Sequence, residues 1–156
     1  MGIFRIAKTF EVEYGHRLSK HPEKCRYPHG HSLRIEVVAR GRQLDGNDMV
    51  CDYKALKILV KDLVGRLDHA MAMNSSDPHL DALESIGGRV LLFADEDPTT
   101  EVVARWLYEQ IAARLQPGQV VESPGGTAYR IPDDLELERV RVWETSTSWA
   151  EYVGLE

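Results

Sequence analysis

From Phe4 to Tyr14 the chain alternates. Phe4, Ile6, Phe10 and Val12 share one parity, and Arg5, Thr9, Glu11 and Glu13 share the other. Side chains on extended backbone point to opposite faces in turn, so this pattern specifies a strand with one apolar and one solvated side. His31 to Arg40 repeats it, with Leu33, Ile35 and Val37 on one parity. Two half-buried strands in succession commit the chain to a sheet whose apolar face needs a cover.

The cover is also legible. Asp52 is an N-cap candidate for a helix from Tyr53 to about Leu67, with Leu56, Leu59, Val60 and Leu63 as its apolar stripe. Pro98-Thr99-Thr100-Glu101 opens a second helix with hydroxyl caps and an acid in the first turn. Its stripe is Val102, Val103, Trp106, Leu107, Ile111 and Leu115, and Pro117-Gly118 ends it. Leu135–Trp143 and Trp149–Val153 read as two further strands. Between these elements, Asp45-Gly46-Asn47 is a turn and Met49–Cys51 a short extended piece. Residues 74–88 read as a loop with a helical turn, 89–93 as a short strand and 120–134 as an irregular excursion.

The reading is therefore an α+β fold over residues 1–156, taken as a single domain. It is a four-stranded antiparallel sheet with two helices on one face. The other face and the sheet edges remain without partners, and oligomerisation is the economical remedy.

A chain of 156 residues fits one domain. A net charge of −6 argues against non-specific nucleic-acid binding, which needs a basic surface, but not against a phosphorylated small substrate held by one local cluster. No apolar run approaches membrane-spanning length, and Met1-Gly2-Ile3-Phe4-Arg5 lacks a signal-peptide core. The expected location is the cytoplasm, where Cys25 and Cys51 would be free thiols.

Three histidines carry the chemistry. His29 and His31 form a His-x-His pair, which on extended backbone points both rings to one side, and Gly30 between them permits a close backbone approach. With His16 from a neighbouring strand they make a three-nitrogen site, which leaves a tetrahedral metal one open position, as catalytic sites do.

Cys25, four residues before His29, has three readings: a fourth ligand closing a structural zinc site, a base or nucleophile beside an open metal, or a small buried hydrophobe. Asp68-His69 after the first helix is an oriented acid–base pair, or simply a histidine interacting with the helix dipole. Glu144 shares the parity of Val140 and Val142, and is either a buried carboxylate accepting hydrogen bonds from a ligand or a solvated acid at a strand end.

Together these pieces resemble the 6-pyruvoyl-tetrahydropterin synthase family, in family order. They are Gly15-His16-Arg17-Leu18, Cys25-x3-His29-Gly30-His31, Asp52-Tyr53-x-x-Leu56-Lys57, Leu67-Asp68-His69 with Asn74, Pro98-Thr99-Thr100-Glu101, and Val142-Trp143-Glu144-Thr145 with Tyr152. The short Cys-x3-His spacing resembles the branch that makes 6-carboxy-tetrahydropterin in queuosine biosynthesis. Cys25 sets the chain apart from a related branch with glutamate at that position.

The resemblance implies a tunnelling fold (T-fold), in which sheets of several subunits close a barrel with helices outside, and trimers stack into a homohexamer. It implies zinc on His16, His29 and His31, and Cys25 as the proton-abstracting thiolate. Asp68 and His69 become its relay, Glu144 the catalytic-site anchor for the pterin's amino-pyrimidine edge, and Thr99 and Thr100 neighbours of the ring. The implied substrate is 7,8-dihydroneopterin triphosphate, with Arg17, Lys20 and Lys24 as basic residues nearby. The alternatives are the sister activity that stops at 6-pyruvoyl-tetrahydropterin, and a non-catalytic pterin-binding or structural zinc protein. Tyr14 before Gly15 and the long stretches 75–97 and 120–134 depart from the family pattern.

Overall fold

In a computed structural model, residues 2–154 are described. Strand β1 (Phe4–His16) runs antiparallel to β2 (His29–Gly41) along their whole length, from Phe4 opposite Gly41 to His16 opposite His29. The even residues of β1 and the odd residues of β2 face inward. Val12, Tyr14, Leu33, Ile35 and Val37 are all buried there. Helix α1 (Tyr53–Leu67) lies over this face and buries Leu56, Leu59, Val60 and Leu63, as its periodicity predicts. The Asp52 carboxylate caps its first turn by accepting from the Lys54 N–H at 2.7 Å.

Two short strands follow, β3 (Met71–Asn74) and β4 (Val90–Phe93), separated by the small helix α2 (Leu80–Ser85). Helix α3 (Thr100–Arg114) then packs beside α1, with Thr99 as N-cap and Val103, Leu107 and Ile111 buried. A small hairpin, β5 (Val120–Glu122) and β6 (Ala128–Arg130), precedes β7 (Glu136–Thr145) and β8 (Ser148–Val153). The main sheet has the order β4-β3-β1-β2-β7-β8, and both long helices cover one face.

Several expectations need correction. The sheet has six strands rather than four, and it is mixed: β3 pairs in parallel with β1 and with β4. The added β3, Met-Ala-Met-Asn, is short and has no polar alternation, because it is covered on both faces; Ala72 and Met73 are fully buried. It therefore gives no period-two signal. The 120–134 excursion also contains the β5–β6 hairpin, turned by Gly126 at φ +84°. Met49–Cys51 forms no strand.

The sheet face away from the helices is charged. Arg139 lies between Glu36, Glu138 and Glu151, Arg141 pairs with Glu151 and stacks on Trp149, and Arg5 pairs with Glu138.

Candidate active site

The inward rows of three strands end together. On β1 the row Val12, Tyr14 continues to His16; on β2 the row Ile35, Leu33 continues to His31 and His29; on β7 the row Val140, Val142 continues to Glu144. The apolar rungs that build the core thus give way to imidazoles and a carboxylate at one end of the sheet. Gly30 allows the strands to close tightly there, since a Cβ at that position would lie 3.2 Å from the Tyr14 carbonyl oxygen.

The three rings are nearly equidistant, with centroids 4.5, 5.1 and 5.0 Å apart. Among the described residues, His16, His29, His31 and Glu144 form a group whose donor atoms all lie within 4.8 Å of one another.

The hydrogen-bond pattern suits a metal. The Nδ1 of His16 lies 2.8 Å from the Pro98 carbonyl oxygen, and that of His29 lies 2.6 Å from the Tyr27 carbonyl oxygen. A carbonyl can only accept, so each Nδ1 carries the proton and each Nε2 presents a lone pair. These two bare nitrogens face each other at 2.9 Å, an arrangement that is repulsive unless a cation or proton lies between them. The Nε2 of His31 is buried and lies 2.9 Å from Glu144 Oε1, with no other polar neighbour bonded to it. Burial holds the His16 and His31 imidazoles below their ordinary pKa range, against the opposing pull of Pro98 and Glu144 at His16 and of Glu144 at His31. Neutral imidazoles are the form that ligates a cation. Three imidazoles and a carboxylate suit a divalent transition metal.

Around this cluster, the Tyr14 hydroxyl lies 2.7 Å from His16 Nδ1. Burial, and then the charge of Glu144, push the Tyr14 phenol far above its ordinary value. The Thr100 hydroxyl donates to the other Glu144 oxygen. Thr99 spends its side chain on the helix: its Oγ1 accepts from the Val102 N–H at 3.2 Å.

Beside the cluster opens a cleft of about 630 Å³, lined by His29, His31, His69, Leu83, Ile86 and Arg89 among others. His69 stands at its rim on a left-handed corner (φ +54°), with its backbone N–H on the Glu13 carbonyl and its Nδ1 3.0 Å from Asp68 Oδ2. The contact to His69, then the Glu13 N–H, holds the Asp68 carboxyl below the usual carboxylate range. The structure therefore brings His69 onto the same cleft as His29 and His31. Cys25 is half-buried on a 3₁₀ turn (Lys24–Arg26), outside both the four-residue donor group and the lining of this cleft. Arg17 is not free to hold an anion, because its guanidinium is bound to Asp77 and to the Arg26 carbonyl.

Sequence reasoning missed the Pro98 and Tyr27 carbonyls, which carry no side-chain signal. The long 75–97 stretch, which could cover the site by length alone, contributes Leu83, Ile86 and Arg89 to the cleft wall, residues that sequence reasoning did not single out.

A family model for 6-pyruvoyl tetrahydropterin synthase matches residues 5–154, and the chain belongs to that family. The 6-carboxy-5,6,7,8-tetrahydropterin synthase of Aquifex aeolicus is 29% identical over 168 residues, covering 96% of this chain and 97% of that protein. The protein of the same name from Synechocystis is 30% identical, covering 94% of this chain and 91% of that one. Among solved structures, an uncharacterised protein from Wolinella succinogenes superposes with a TM-score of 0.78 at 23% identity, covering 99% of this chain and 100% of that one. The 6-pyruvoyl tetrahydropterin synthase of Caenorhabditis elegans superposes with a TM-score of 0.66 at 20% identity, covering 99% and 98%. The fold is the tunnelling fold of this family.

Proposed function

We propose that this chain is a zinc-dependent lyase that converts 7,8-dihydroneopterin triphosphate and one water to 6-carboxy-5,6,7,8-tetrahydropterin, triphosphate and acetaldehyde. The observation that carries the reading is the converging cluster of His16, His29 and His31, in which the Nε2 atoms of His16 and His29 face each other as lone pairs, beside a cleft lined by His29, His31 and His69. The relatives that bear the corresponding name, aligned over nearly their full length, support the choice of product.

His16, His29 and His31 would hold the zinc. When bound there, it supplies Lewis acidity toward the substrate's side-chain oxygens and makes the adjacent C–H more acidic. Cys25, as thiolate, takes that proton, and triphosphate leaves by elimination before carbon–carbon cleavage. His69, oriented by the Asp68 carboxylate, exchanges protons at the rim of the cleft. Glu144 accepts hydrogen bonds from the amino-pyrimidine edge, with Thr100 fixing one of its oxygens and Thr99 holding the helix terminus beside it.

The active enzyme in this reading is a trimer-based homohexamer in the cytoplasm. Edge strands β4 and β8, with Leu92, Trp149, Tyr152 and Val153 exposed, are the surfaces a neighbouring copy would cover. Among the described residues no helix is long and apolar enough to cross a membrane.

Incubation of the zinc-loaded protein with 7,8-dihydroneopterin triphosphate, with product identification by mass, tests the proposal. A carboxy product with acetaldehyde supports it. A pyruvoyl product moves the chain to the sister activity, and no product from zinc-loaded protein overturns the catalytic reading. Light scattering on the same sample checks the assembly.

A further inference from the structure

The turn that carries Cys25 has little to hold it. Lys24, Cys25 and Arg26 bury no residue in the core, and the N-cap makes no side-chain hydrogen bond. A three-residue turn of this kind opens readily unless something outside it intervenes. Two anchors do, and both come from the residues directly after His16. The Leu18 N–H donates to the Cys25 carbonyl at 2.9 Å, and Arg17 Nη1 donates to the Arg26 carbonyl at 2.6 Å.

Arg17 is itself fixed. Its Nε donates to Asp77 Oδ2 at 2.5 Å, and the Asp77 side chain is wholly buried while that of Arg17 is 12% exposed. The other Asp77 oxygen accepts from the His79 N–H at 2.8 Å, and the Asp77 N–H donates to the Asn74 carbonyl at 3.0 Å. The carboxylate is therefore anchored in the segment between β3 and α2. One guanidinium joins three pieces of chain: the end of β1, the 74–79 segment and the Cys25 turn. An ammonium is a poor substitute, because its three donors sit on one rotatable nitrogen and lack the rigid, spaced fork that fixes both acceptors.

We propose that Arg17, anchored on Asp77, is a positioning residue that holds the thiol of Cys25 in a fixed place relative to His16. The inference rests on the reading of Cys25 as the proton-abstracting group. It also explains why a basic residue beside the metal candidates is withheld from the substrate.

The test uses full-length, zinc-loaded Arg17→Lys and Asp77→Asn proteins. Alkylation by iodoacetamide is followed by mass separately at Cys25 and at the buried Cys51, alongside kcat, KM and bound metal. Cys25 alkylation should accelerate more than about threefold in both variants while Cys51 stays protected, as local opening of one turn requires. Turnover should fall by on the order of 10²-fold, the cost of a roughly 1 Å misplacement, with KM and metal content little changed. Faster alkylation of both thiols would mean general destabilisation and would overturn the proposal, as would wild-type Cys25 alkylation in both variants. If Asp77→Asn does not fold, Arg17→Lys decides, because it leaves the buried carboxylate a cation. A Cys25→Ala protein with full turnover would sink the catalytic reading of the thiol, whereas the alkylation result would still decide whether Arg17 anchors the turn.

Discussion

The histidine cluster and the Asp68–His69 corner meet one cleft, through His29 and His31 on one side and His69 on the other, but are held in opposite ways. His16 is fully buried at the end of a long antiparallel ladder, and the Nδ1 atoms of His16 and His29 are each fixed by a backbone carbonyl. His69 has a side chain 75% exposed, on a left-handed corner, with Asp68 as its side-chain partner. The first arrangement is preorganised within one chain: the β1–β2 ladder and the two carbonyls set the rings, and a cation or proton between the facing His16 and His29 nitrogens would relieve their repulsion. The second is oriented but still wet. Closing a site to water strengthens the interactions inside it and suppresses side reactions, and in the proposed hexamer a neighbouring copy would shield this corner. In the proposed reading, ligand geometry is carried by the fold of one chain, and the acid–base chemistry by its assembly.

The sharpest way to break this comparison is to exchange the two roles by mutation. His29→Ala should weaken metal binding by more than the roughly 10- to 100-fold typical of losing a supporting partner, whereas His69→Ala should leave it unchanged. Competition with a chromophoric chelator measures both. Equal losses in the two variants would erase the distinction. On turnover both variants should fail, but for different reasons: His69→Ala keeps its metal yet loses on the order of 10²–10⁴ in kcat, the range for a positioned acid or base. A His69→Ala protein with wild-type kcat would remove the corner from the chemistry.

A milder effect is expected at Tyr14. Its hydroxyl touches His16 Nδ1, but the Pro98 carbonyl holds the same nitrogen. Tyr14→Phe should therefore lower metal affinity by no more than about tenfold, the low end for a supporting contact. A larger loss would make the phenol, and not the carbonyl, the group that orients the ring.

Acid provides a further test. Burial pushes the Asp97 carboxyl up, but hydrogen bonds from the Ser19 hydroxyl, the Lys20 N–H and the Asn74 amide outweigh it and hold it below the ordinary range. A depressed carboxylate stabilises the fold at every pH above its unfolded value of about 3.9, and that contribution is lost as pH falls through the lower folded value. Thermal melts should thus be insensitive to this group from neutrality down to about pH 5 and should fall on further acidification. Asp97→Asn should lower the neutral-pH melting temperature and flatten the acid limb. Asp68→Asn should change it less, since that carboxylate is solvated and screened. A larger effect at Asp68 would mean that the corner is structural after all.

The division between chain and assembly also explains what could be read from the sequence. Long elements with one wet face, β1, β2, α1 and α3, carry clear periods, and the rows that end in His16, His31 and Glu144 are continuations of those periods. The short β3 has no such face, since Met71-Ala72-Met73-Asn74 is covered on both sides, and its signal vanished with the contrast. The cleft wall of Leu83, Ile86 and Arg89 was equally silent, because those residues acquire a role only where β3 and β4 return beside His69. Carbonyl groups from Pro98 and Tyr27 could not be found by residue type at all; every residue has one, and only the fold decides which two face an imidazole.

Thr99 is the smallest and most local case of the same distinction. Resemblance placed both Thr99 and Thr100 near a bound ring, yet in the structure the two hydroxyls part company. Thr100 donates to Glu144, at the cluster, while Thr99 accepts from the Val102 N–H and closes the first turn of α3. A cap of this kind is worth about 1 kcal/mol, so Thr99→Ala should lower stability by that amount, and Thr99→Ser should restore it because serine caps equally well. Denaturant unfolding at neutral pH measures both. Because α3 also carries the Pro98 carbonyl at its entrance, fraying of this turn would reach His16 only indirectly, and metal affinity should barely move. If instead Thr99→Ala leaves stability intact and raises KM, the hydroxyl serves the ligand rather than the helix, and the polar end of the cleft extends one residue further than the fold by itself requires.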